Sequence, residues 1–265
     1  MSDNLNKVYQ RAEYYDIVFN RDVSAHIDFC RSVFQQYTGR KLASVVDIAC
    51  GPGYHAQGFA RCGIPATGLD LSPAMLAFGQ QQCRDQQLAV EFIGADMRTF
   101  DLPEPVDMAL CVFDGVDLLT RTDDVIAHLR VVAKNLTPGG LYLIEQTHPR
   151  EANAFHLPPL RWTGERDGTT VTFTWGVNHP QPDIISGLAE IRMEMNVTHR
   201  DGTTTQFHDT SLERTLVPQE LRALTEYVVN DLRVVGYFGA FDLHQPLDWS
   251  ANASSMITLL QKQRS

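Results

Sequence analysis

The 265-residue sequence has little positive charge, no paired cysteines and no long apolar run. Lysine and arginine number 22 against 32 aspartates and glutamates, so the formal net charge is −10. Because phosphate contacts need clustered basic side chains, we expect no nucleic-acid partner. No apolar stretch has membrane-spanning length and Met1–Asn6 is polar, so we predict neither a membrane segment nor a signal peptide.

The cysteines and histidines lack the spacing of metal ligands. The odd number of cysteines and the absence of a C-x-x-C pair disfavour a disulfide framework and a structural zinc site. His208 and Asp209 suggest a metal, but no third ligand stands at helical or hairpin spacing from them. We therefore expect no metal and a cytoplasmic location. The five cysteines are Cys30, Cys50, Cys62, Cys83 and Cys111.

Strands and helices alternate between Ser44 and His148. Regular succession of this kind implies right-handed crossovers and a parallel sheet. With two closing strands near the end of the chain, the expected fold class is α/β, a Rossmann-like doubly wound, mostly parallel seven-stranded sheet. The predicted strands are Ser44–Ala49, Ala66–Asp70, Val90–Gly94, Met108–Phe113, Leu141–Gln146, Leu232–Phe238 and Ser255–Gln261.

The segments outside this alternation predict a lid and a cap. Apolar residues at helical spacing in the first forty positions indicate a helical lid over residues 1–40. Period-two alternation around Asp201-Gly202 predicts an antiparallel cap with a hairpin, inserted after strand five. An exposed edge of this cap is a possible contact between two subunits of a homodimer. The predicted domains are thus the lid, a core over 41–150 and 214–265, and a cap over 151–213.

A glycine-rich turn follows the first strand and indicates a nucleotide-like cofactor. Gly51 to Ala56 satisfies G-x-G-x-x-A, so a nicotinamide or flavin dinucleotide is one alternative. Asp47 inside the first strand, which we expect to orient the turn through backbone N–H groups, instead favours S-adenosylmethionine. Asp70 at the end of strand two suits two ribose hydroxyls, and Asp96 with Met97 at the end of strand three suits an adenine.

Four ordered segments, D-I-A-C-G-P-G, G-L-D-L-S, G-A-D-M-R and L-T-P-G-G-L-Y-L-I-E, resemble the class I S-adenosylmethionine-dependent methyltransferases over Ser44–Glu145. The resemblance implies an enzyme that uses S-adenosyl-L-methionine and releases S-adenosyl-L-homocysteine. It also implies a place for each matching residue. Ala49, Gly51 and Gly53 would line the methionine part, Asp70 with Leu71 and Met75 the ribose, Asp96 and Met97 the adenine, and Val112 and Phe113 the floor beneath the sulfonium.

Within that class, the Y-Y-D-I-V-F segment and the A-C-G-P-G-Y-H turn resemble small-molecule N-methyltransferases. These include amino-sugar N,N-dimethyltransferases and glycine or sarcosine methyltransferases. The resemblance implies that Tyr15 reaches over the cofactor carboxylate, with Tyr14 and Arg21 as alternatives. The E-Q-T-H-P-R segment after strand five departs from the amino-sugar enzymes, so the identity of the acceptor is not implied.

Methyl transfer from a sulfonium needs mainly correct placement of the acceptor. An amine needs only a route for its proton, whereas a hydroxyl needs a base or a metal. Asp114 and His148, at the ends of strands four and five, are the candidates for orientation and proton removal, with loop hydrogen bonding as the alternative role. Tyr14 in the lid, His55 after the glycine turn, and Trp162 and Trp175 in the cap are candidate substrate-pocket residues. A structural or cofactor-adjacent role is the alternative for His55, and core packing of the cap is the alternative for the tryptophans.

The sequence therefore predicts an enzyme that methylates a small molecule at an amine nitrogen. Methylation of oxygen or carbon is the first alternative. An NAD(P)-dependent oxidoreductase and a non-catalytic protein that binds the cofactor are the others. Protein or tRNA methylation is disfavoured by the acidic composition.

Overall fold

The computed structural model describes residues 8–148 and 159–263. The predicted boundary between core and cap, at residue 150, lies outside the described residues, as does Met1–Asn6. The lid consists of a 3-10 turn at Val8–Gln10 and two helices, α1 (Ala12–Phe19) and α2 (Ser24–Thr38). Within the described ranges, no helix combines the length and the apolar character needed to cross a bilayer.

The core follows in regular alternation and is completed after the cap. Its first part comprises β1 (Val45–Ile48), α3 (Tyr54–Arg61), β2 (Ala66–Asp70), α4 (Pro73–Gln86), β3 (Val90–Gly94), β4 (Val106–Cys111), a 3-10 turn (Gly115–Leu118), α5 (Thr122–Asn135) and β5 (Leu136–Thr147). The cap strands are β6 (Leu160–Arg166), β7 (Thr169–Trp175), β8 (Leu188–Thr198) and β9 (Thr204–Arg214). The chain then forms α6 (Pro218–Ala223), a π turn (Leu224–Val229), β10 (Leu232–Phe238) and β11 (Ser255–Lys262).

The central sheet has seven strands in the order β10-β11-β5-β4-β1-β2-β3. Strands β1 to β5 are parallel, while β11 runs antiparallel to β5 and β10 antiparallel to β11. The expected α/β, mostly parallel seven-stranded fold is confirmed. The strand order reverses between β1 and β4, and ligands of such sheets bind in the crevice at the carboxyl ends of the strands there.

The sequence of the central strands explains their position. Every residue of β1 and β4 is buried, as expected for parallel strands that helices cover on both faces. One face packs against α2 and α3, and the other against α5 and α6. Helix α4 begins as predicted, with Ser72 as its N-cap: the Ser72 hydroxyl accepts the Met75 N–H at 3.4 Å, and Pro73 occupies the first helical position.

Strands β4, β5 and β6 differ most from the predictions. Strand β4 runs over Val106–Cys111 rather than Met108–Phe113. Strand β5 begins at Leu136 rather than Leu141, because Leu136 pairs with Val106 and a register shift in this pairing absorbs the Pro-Gly-Gly segment. Strand β6 was not predicted, since glycine and charged residues interrupt its alternation. A Cβ on Gly164 would collide with the backbone of Ile17, so this glycine allows α1 to pack directly on the cap.

Candidate active site

The glycine turn after β1 has a backbone that favours small residues. Ala49, Gly51 and Gly53 all have positive φ, with 76° at Gly53. A Cβ on Gly53 would lie 2.7 Å from Cε1 of Phe92, so a larger residue would collide with β3. Helix α3 begins at once at Tyr54. The turn therefore combines close packing with backbone that a ligand can approach.

A cavity of about 460 Å³ lies beside this turn, bounded by the carboxyl ends of the central strands, the lid and β9. Its volume is in the range of small-molecule sites. Its wall includes eleven predicted site residues: Tyr15, Arg21, Ala49, Gly51, His55, Asp70, Leu71, Met75, Met97, Val112 and Phe113. Seven others, all described, do not line it: Tyr14, Gly53, Asp96, Asp114, His148, Trp162 and Trp175.

Asp70 connects two parts of the cavity wall. Its Oδ2 accepts the Gly51 N–H at 2.8 Å and its Oδ1 accepts the Ser72 N–H at 2.8 Å. Burial raises the pKa of this carboxyl, and the backbone donors oppose that shift. Because each carboxylate oxygen can accept a further hydrogen bond, Asp70 has capacity left for the hydroxyls of a ligand.

Asp47 presents an unsatisfied oxygen. Its Oδ2 accepts the Ala56 N–H at 3.4 Å, as expected for a residue that orients the turn. Its Oδ1 has no hydrogen-bond partner within the described protein, although the residue is only 1% exposed and lines the cavity. Burial raises the pKa of Asp47 to about 7. A buried acceptor of this kind is normally satisfied, so it suits a donor on a bound ligand.

The lid contributes aromatic and positive groups to the wall. The rings of Tyr9 and Tyr15 meet edge-on, with centroids 5.8 Å apart. The guanidinium carbon of Arg21 lies 4.1 Å from the centroid of the Phe113 ring, a cation–π contact. Of the three lid residues proposed for the cofactor carboxylate, Tyr15 and Arg21 line the cavity. Tyr14 instead packs on Phe207 of the cap, with centroids 6.0 Å apart.

His55 lines the cavity with a second histidine behind it. Its Nε2 lies 2.9 Å from Nδ1 of His26, and the His26 ring stacks on Phe241 at a centroid distance of 3.7 Å. Burial lowers the pKa of His55 to about 3 and that of His26 to about 4, and the positive charge of Arg21 adds to both shifts. Both rings are therefore neutral near pH 7, with one N–H between the facing nitrogens.

Asp96 is placed differently from the prediction that it meets an adenine. The Arg98 guanidinium donates from Nε to Asp96 Oδ1 at 2.9 Å and from a terminal nitrogen to Asp124 at 2.9 Å. These bonds lower the pKa of Asp96. The neighbours Ala95 and Met97 line the cavity instead. Strand β3 ends at Gly94, as predicted, but the carboxylate of Asp96 beyond it bonds to Arg98.

Asp114 lies behind the wall. Its Oδ2 accepts the hydroxyl of Thr147 at 2.9 Å and its Oδ1 accepts the Thr147 N–H, so it ties the end of β4 to β5. Burial and the nearby Glu145 carboxylate raise its pKa to about 7. Its neighbours Phe113 and Gly115 both line the cavity. Asp114 therefore holds the backbone that follows β4 next to the cavity.

His148, the other candidate base, also lies away from the cavity. It is buried, and its Nε2 bonds to the backbone carbonyl of Asp248 at 2.9 Å. Its ring meets that of Trp249 edge-on, with centroids 5.9 Å apart. The geometry therefore gives no support to the hypothesis that His148 removes a proton from the acceptor.

The tryptophans proposed for the substrate pocket pack within the cap and against the lid. Trp162 contacts Phe19 and Phe173, with centroid distances of 5.6 and 6.0 Å. The indole N–H of Trp175 donates to Glu213 at 3.5 Å. These contacts correspond to the core-packing alternative for both residues.

Comparison with known protein families gives a match over the first part of the core. Residues 45–140 match the family described as methyltransferase domain. Residues 45–140 therefore form a methyltransferase domain. The match covers the glycine turn, Asp70, Asp96 and the start of β5, and it favours the methyltransferase over the dinucleotide alternative.

Two curated relatives share part of this methyltransferase domain. The dTDP-4-amino-2,3,4,6-tetradeoxy-D-glucose N,N-dimethyltransferase of Saccharopolyspora spinosa is 32% identical over 102 residues, which are 38% of this chain and 39% of that protein. The dTDP-3-amino-3,4,6-trideoxy-alpha-D-glucopyranose N,N-dimethyltransferase of Streptomyces venezuelae is 28% identical over 137 residues, or 51% and 56%. The chain thus spans about two fifths to just over half of these relatives.

A solved structure extends the similarity of fold beyond the methyltransferase domain. The crystal structure of an S-adenosylmethionine-dependent methyltransferase from Clostridium acetobutylicum has a TM-score of 0.77 to this chain at 15% identity. The superposition covers 97% of this chain and 100% of that one. At this identity the similarity shows the fold, including lid and cap, and no more.

The residues around the cavity fit the cofactor of a methyltransferase domain. Asp70 retains acceptor capacity for ribose hydroxyls, and Asp47 Oδ1 lacks a donor. Arg21 supplies a positive charge for a carboxylate. Apolar side chains for the flat, weakly polar adenine come from Leu71, Met75 and Met97.

Several wall residues were not predicted. Tyr9 belongs to an aromatic-rich N-terminal stretch, which was a usable signal, and its carbonyl accepts the Ser72 hydroxyl at 3.0 Å. Asp209–Leu212 of β9 also line the cavity, and the Val8 N–H donates to Asp209 at 3.3 Å. The alternation of apolar and polar residues predicts that Asp209–Leu212 belongs to a strand. It does not predict that this strand packs against the methyltransferase domain.

Proposed function

We propose that the protein transfers a methyl group from S-adenosylmethionine to an amine nitrogen of a small molecule. The observation that carries this proposal is one cavity that four parts of the chain line together. These parts are the glycine turn, Asp70, the lid residue Arg21 and strand β9 of the cap. Both relatives have names that specify methylation at nitrogen of an amino sugar, which supports an amine over a hydroxyl or carbon acceptor.

In this proposal the core and the lid hold the cofactor. Asp70 accepts the ribose hydroxyls, and Arg21 with Tyr15 receives the carboxylate. Leu71, Met75 and Met97 cover the adenine. Phe113, which lines the cavity and whose ring contacts the Arg21 guanidinium, forms the floor beneath the reacting centre. Asp96 is assigned no direct contact because Arg98 already engages it.

The acceptor enters the half of the cavity formed by the lid turn, Leu118 and β9. When bound, S-adenosylmethionine supplies an electrophilic methyl group on a positively charged sulfur. The chain contributes placement, because an amine held about 3 Å from that carbon and in line with its bond to sulfur needs no activation. The proton of the product ammonium leaves to water at the mouth, and the Asp114 charge behind Phe113 stabilises the cation before it leaves.

The proposal is tested by incubating purified protein with S-adenosylmethionine that carries a trideuterated methyl group. The acceptors are amino sugars and simple amines, each paired with its hydroxyl analogue. We expect labelled methyl groups on nitrogen and an equal amount of S-adenosylhomocysteine, both measured by mass spectrometry. Label only on oxygen or carbon would contradict the choice of acceptor atom. Binding of NADH without binding of S-adenosylhomocysteine would contradict the whole proposal.

We further propose that two copies of the chain pair through the cap. Strand β6 is an edge strand of the described cap sheet, and edge strands present unpaired backbone groups that another chain can use. Light scattering on the purified protein distinguishes a dimer from the monomer mass of 29.7 kDa. A monomer mass at micromolar concentration would rule this pairing out.

A further inference from the structure

Asp16 in helix α1 is a buried acidic residue to which the proposed function gives no role. It is 2% exposed and is not among the described residues that line the cavity. Because an isolated carboxylate is costly to bury, the groups that bond to it indicate why it is there. The two carboxylate oxygens of Asp16 bond to different parts of the molecule, one to the core and one to the cap.

The Oδ1 atom of Asp16 bonds to the core. It accepts the hydroxyl of Tyr54 at 2.8 Å and the side-chain amide of Gln82 at 2.9 Å. Tyr54 lines the cavity and is the first residue of α3, directly after Gly53 of the glycine turn. Gln82 belongs to α4. Oδ1 therefore holds the lid helix α1 against the two core helices that follow β1 and β2.

A chain of hydrogen bonds continues from Gln82 to the glycine turn itself. The side-chain amide of Gln57 donates to Oε1 of Gln82 and to the backbone carbonyl of Pro52, each at 3.0 Å. Pro52 lies in the glycine turn and lines the cavity, and Gln57 is 2% exposed. Buried polar networks of this kind rigidify the segments that they join. The bonds therefore hold Asp16 and the turn in one arrangement.

The Oδ2 atom of Asp16 bonds to the cap. One terminal nitrogen of Arg166 donates to it at 2.5 Å, and the other donates to the Asp16 backbone carbonyl at 3.3 Å. Arg166 is the last residue of β6, and its half-exposed side chain reaches the carboxylate from the surface. It is a described residue that does not line the cavity. This ion pair therefore joins the lid to the cap without being part of the site.

Helix α1, which Asp16 anchors, contributes two aromatic residues to the cavity wall. Tyr15 and Phe19 both line the cavity, and their ring centroids are 4.5 Å apart. Residues four apart lie on the same face of a helix, so a rotation of α1 would move both rings together. Because Asp16 bonds to the core and to the cap at once, it fixes the rotation of α1 and the position of these rings.

We propose that Asp16 is a positioning residue for the cofactor, and that it makes the affinity for S-adenosylmethionine depend on Arg166 of the cap. The inference rests on the proposed placement of the cofactor in this cavity. Loss of Arg166 leaves the Asp16 carboxylate buried without its ionic partner, and α1 must then shift relative to the glycine turn. A purely structural ion pair would affect the stability of the fold, but it would not affect the affinity of the folded protein.

The experiment is a double-mutant cycle on the affinity for S-adenosylhomocysteine, measured by calorimetry well below the Tm of each variant. Arg166→Met should weaken binding by about fivefold or more, because small displacements of positioning groups have large effects at a site. Arg161→Met, which removes an exposed arginine from the same strand, is the matched control and should leave the affinity unchanged. Asp16→Asn should weaken binding as much as Arg166→Met does. Its amide oxygen can still accept the core bonds, but its N–H groups then face the guanidinium.

The double variant decides whether Arg166 acts through Asp16. Adding Arg166→Met to Asp16→Asn should weaken binding by less than about twofold, since the two residues share one interaction. Unchanged affinity in Arg166→Met would overturn the inference, as would equal losses from Arg166→Met in the two backgrounds or an equal loss in Arg161→Met. If Arg166→Met does not fold, as judged by thermal unfolding, Arg166→Gln provides the same comparison. A wild-type protein that does not bind S-adenosylhomocysteine would instead contradict the proposed function.

Discussion

The cavity has two walls that are built in different ways. The cofactor wall comes from strand ends close together in the core, where Asp70 reaches the Gly51 N–H only 19 residues away. The proposed acceptor wall joins the lid to the cap: the bond from Val8 to Asp209 spans 201 residues. A local motif can therefore define the cofactor, whereas the acceptor depends on how lid and cap pack.

The largest effect is expected at the cofactor wall, from Asp70→Ala. Ribose hydroxyls would lose a charged partner in a poorly solvated site, so the affinity for S-adenosylhomocysteine should fall about 100-fold. Calorimetry measures this. Asp96→Ala is the matched comparison, and its effect should be much smaller because Arg98 already occupies that carboxylate. Equal losses in the two variants would contradict the assignment of no cofactor contact to Asp96, and unchanged affinity in Asp70→Ala would contradict the ribose assignment.

Arg21→Ala tests the positive group that the lid places beside the core. Loss of a charge-assisted contact at the exposed mouth should weaken binding of S-adenosylhomocysteine by about tenfold. Binding of adenosine, which lacks the carboxylate, should not change. The control is Arg11→Ala, whose guanidinium lies over Phe207 of the cap, 4.9 Å from its centroid. A similar loss for adenosine would mean that Arg21 does not act through the carboxylate.

Asp114→Asn tests the charge behind the acceptor wall through stability. The folded-state pKa of Asp114, about 7, exceeds the ordinary value of 3.8, so the folded protein binds this proton more tightly. The resulting stabilisation is present at low pH and is lost as the pH rises from about 4 through 7. The variant lacks this loss, so its Tm relative to wild type should rise by roughly 3 °C between pH 5 and pH 8.

For Asp114→Asn, the quantity to measure at each pH is the difference in Tm between the variant and the wild type. His26, His55 and His128 have lowered pKa values, so they change wild-type stability in the opposite direction below pH 6.5. That contribution is common to both proteins and cancels in the difference. A difference in Tm that stays constant from pH 5 to pH 8 would show that Asp114 is charged throughout.

The smallest effect is expected from His148→Ala. Since His148 bonds to the Asp248 carbonyl and does not line the cavity, kcat at saturating substrates should stay within about twofold of wild type. Stability should decrease, because a buried hydrogen bond is lost. A large fall in kcat without a change in stability would restore His148 as a base and move the acceptor toward the end of β5.

Sequence reasoning predicted the central sheet, the methyltransferase domain and eleven of the residues that line the cavity. Buried strands, the glycine turn and the acids at strand ends are local features, and their periodicity and spacing persist in the fold. Asp96 does not line the cavity and bonds to Arg98, so a carboxylate at a strand end does not by itself show what that carboxylate binds. The start of β5 was also predicted wrongly from the local sequence. Pairing of Leu136 with Val106 of β4 overrides the tendency of residues 138–140 to end a strand.

The residues of the proposed acceptor wall could not be predicted from the sequence, because they are brought together by packing between distant segments. Whether Trp162 and Trp175 face a ligand or the cap core depends on how α1 packs against β6, and this packing depends on Gly164. The contribution of β9 to the wall similarly follows from long-range contacts of Val8 and Asp209. No periodicity within either segment encodes its partner.

The most direct test of the central claim is a crystal structure of the protein with S-adenosylhomocysteine. The account predicts that the ligand fills the cavity beside the glycine turn. Its ribose hydroxyls should lie at Asp70, its carboxylate at Arg21, and its sulfur above Phe113 on the side of β9. A ligand bound outside this cavity, or one whose ribose does not contact Asp70, would contradict the account.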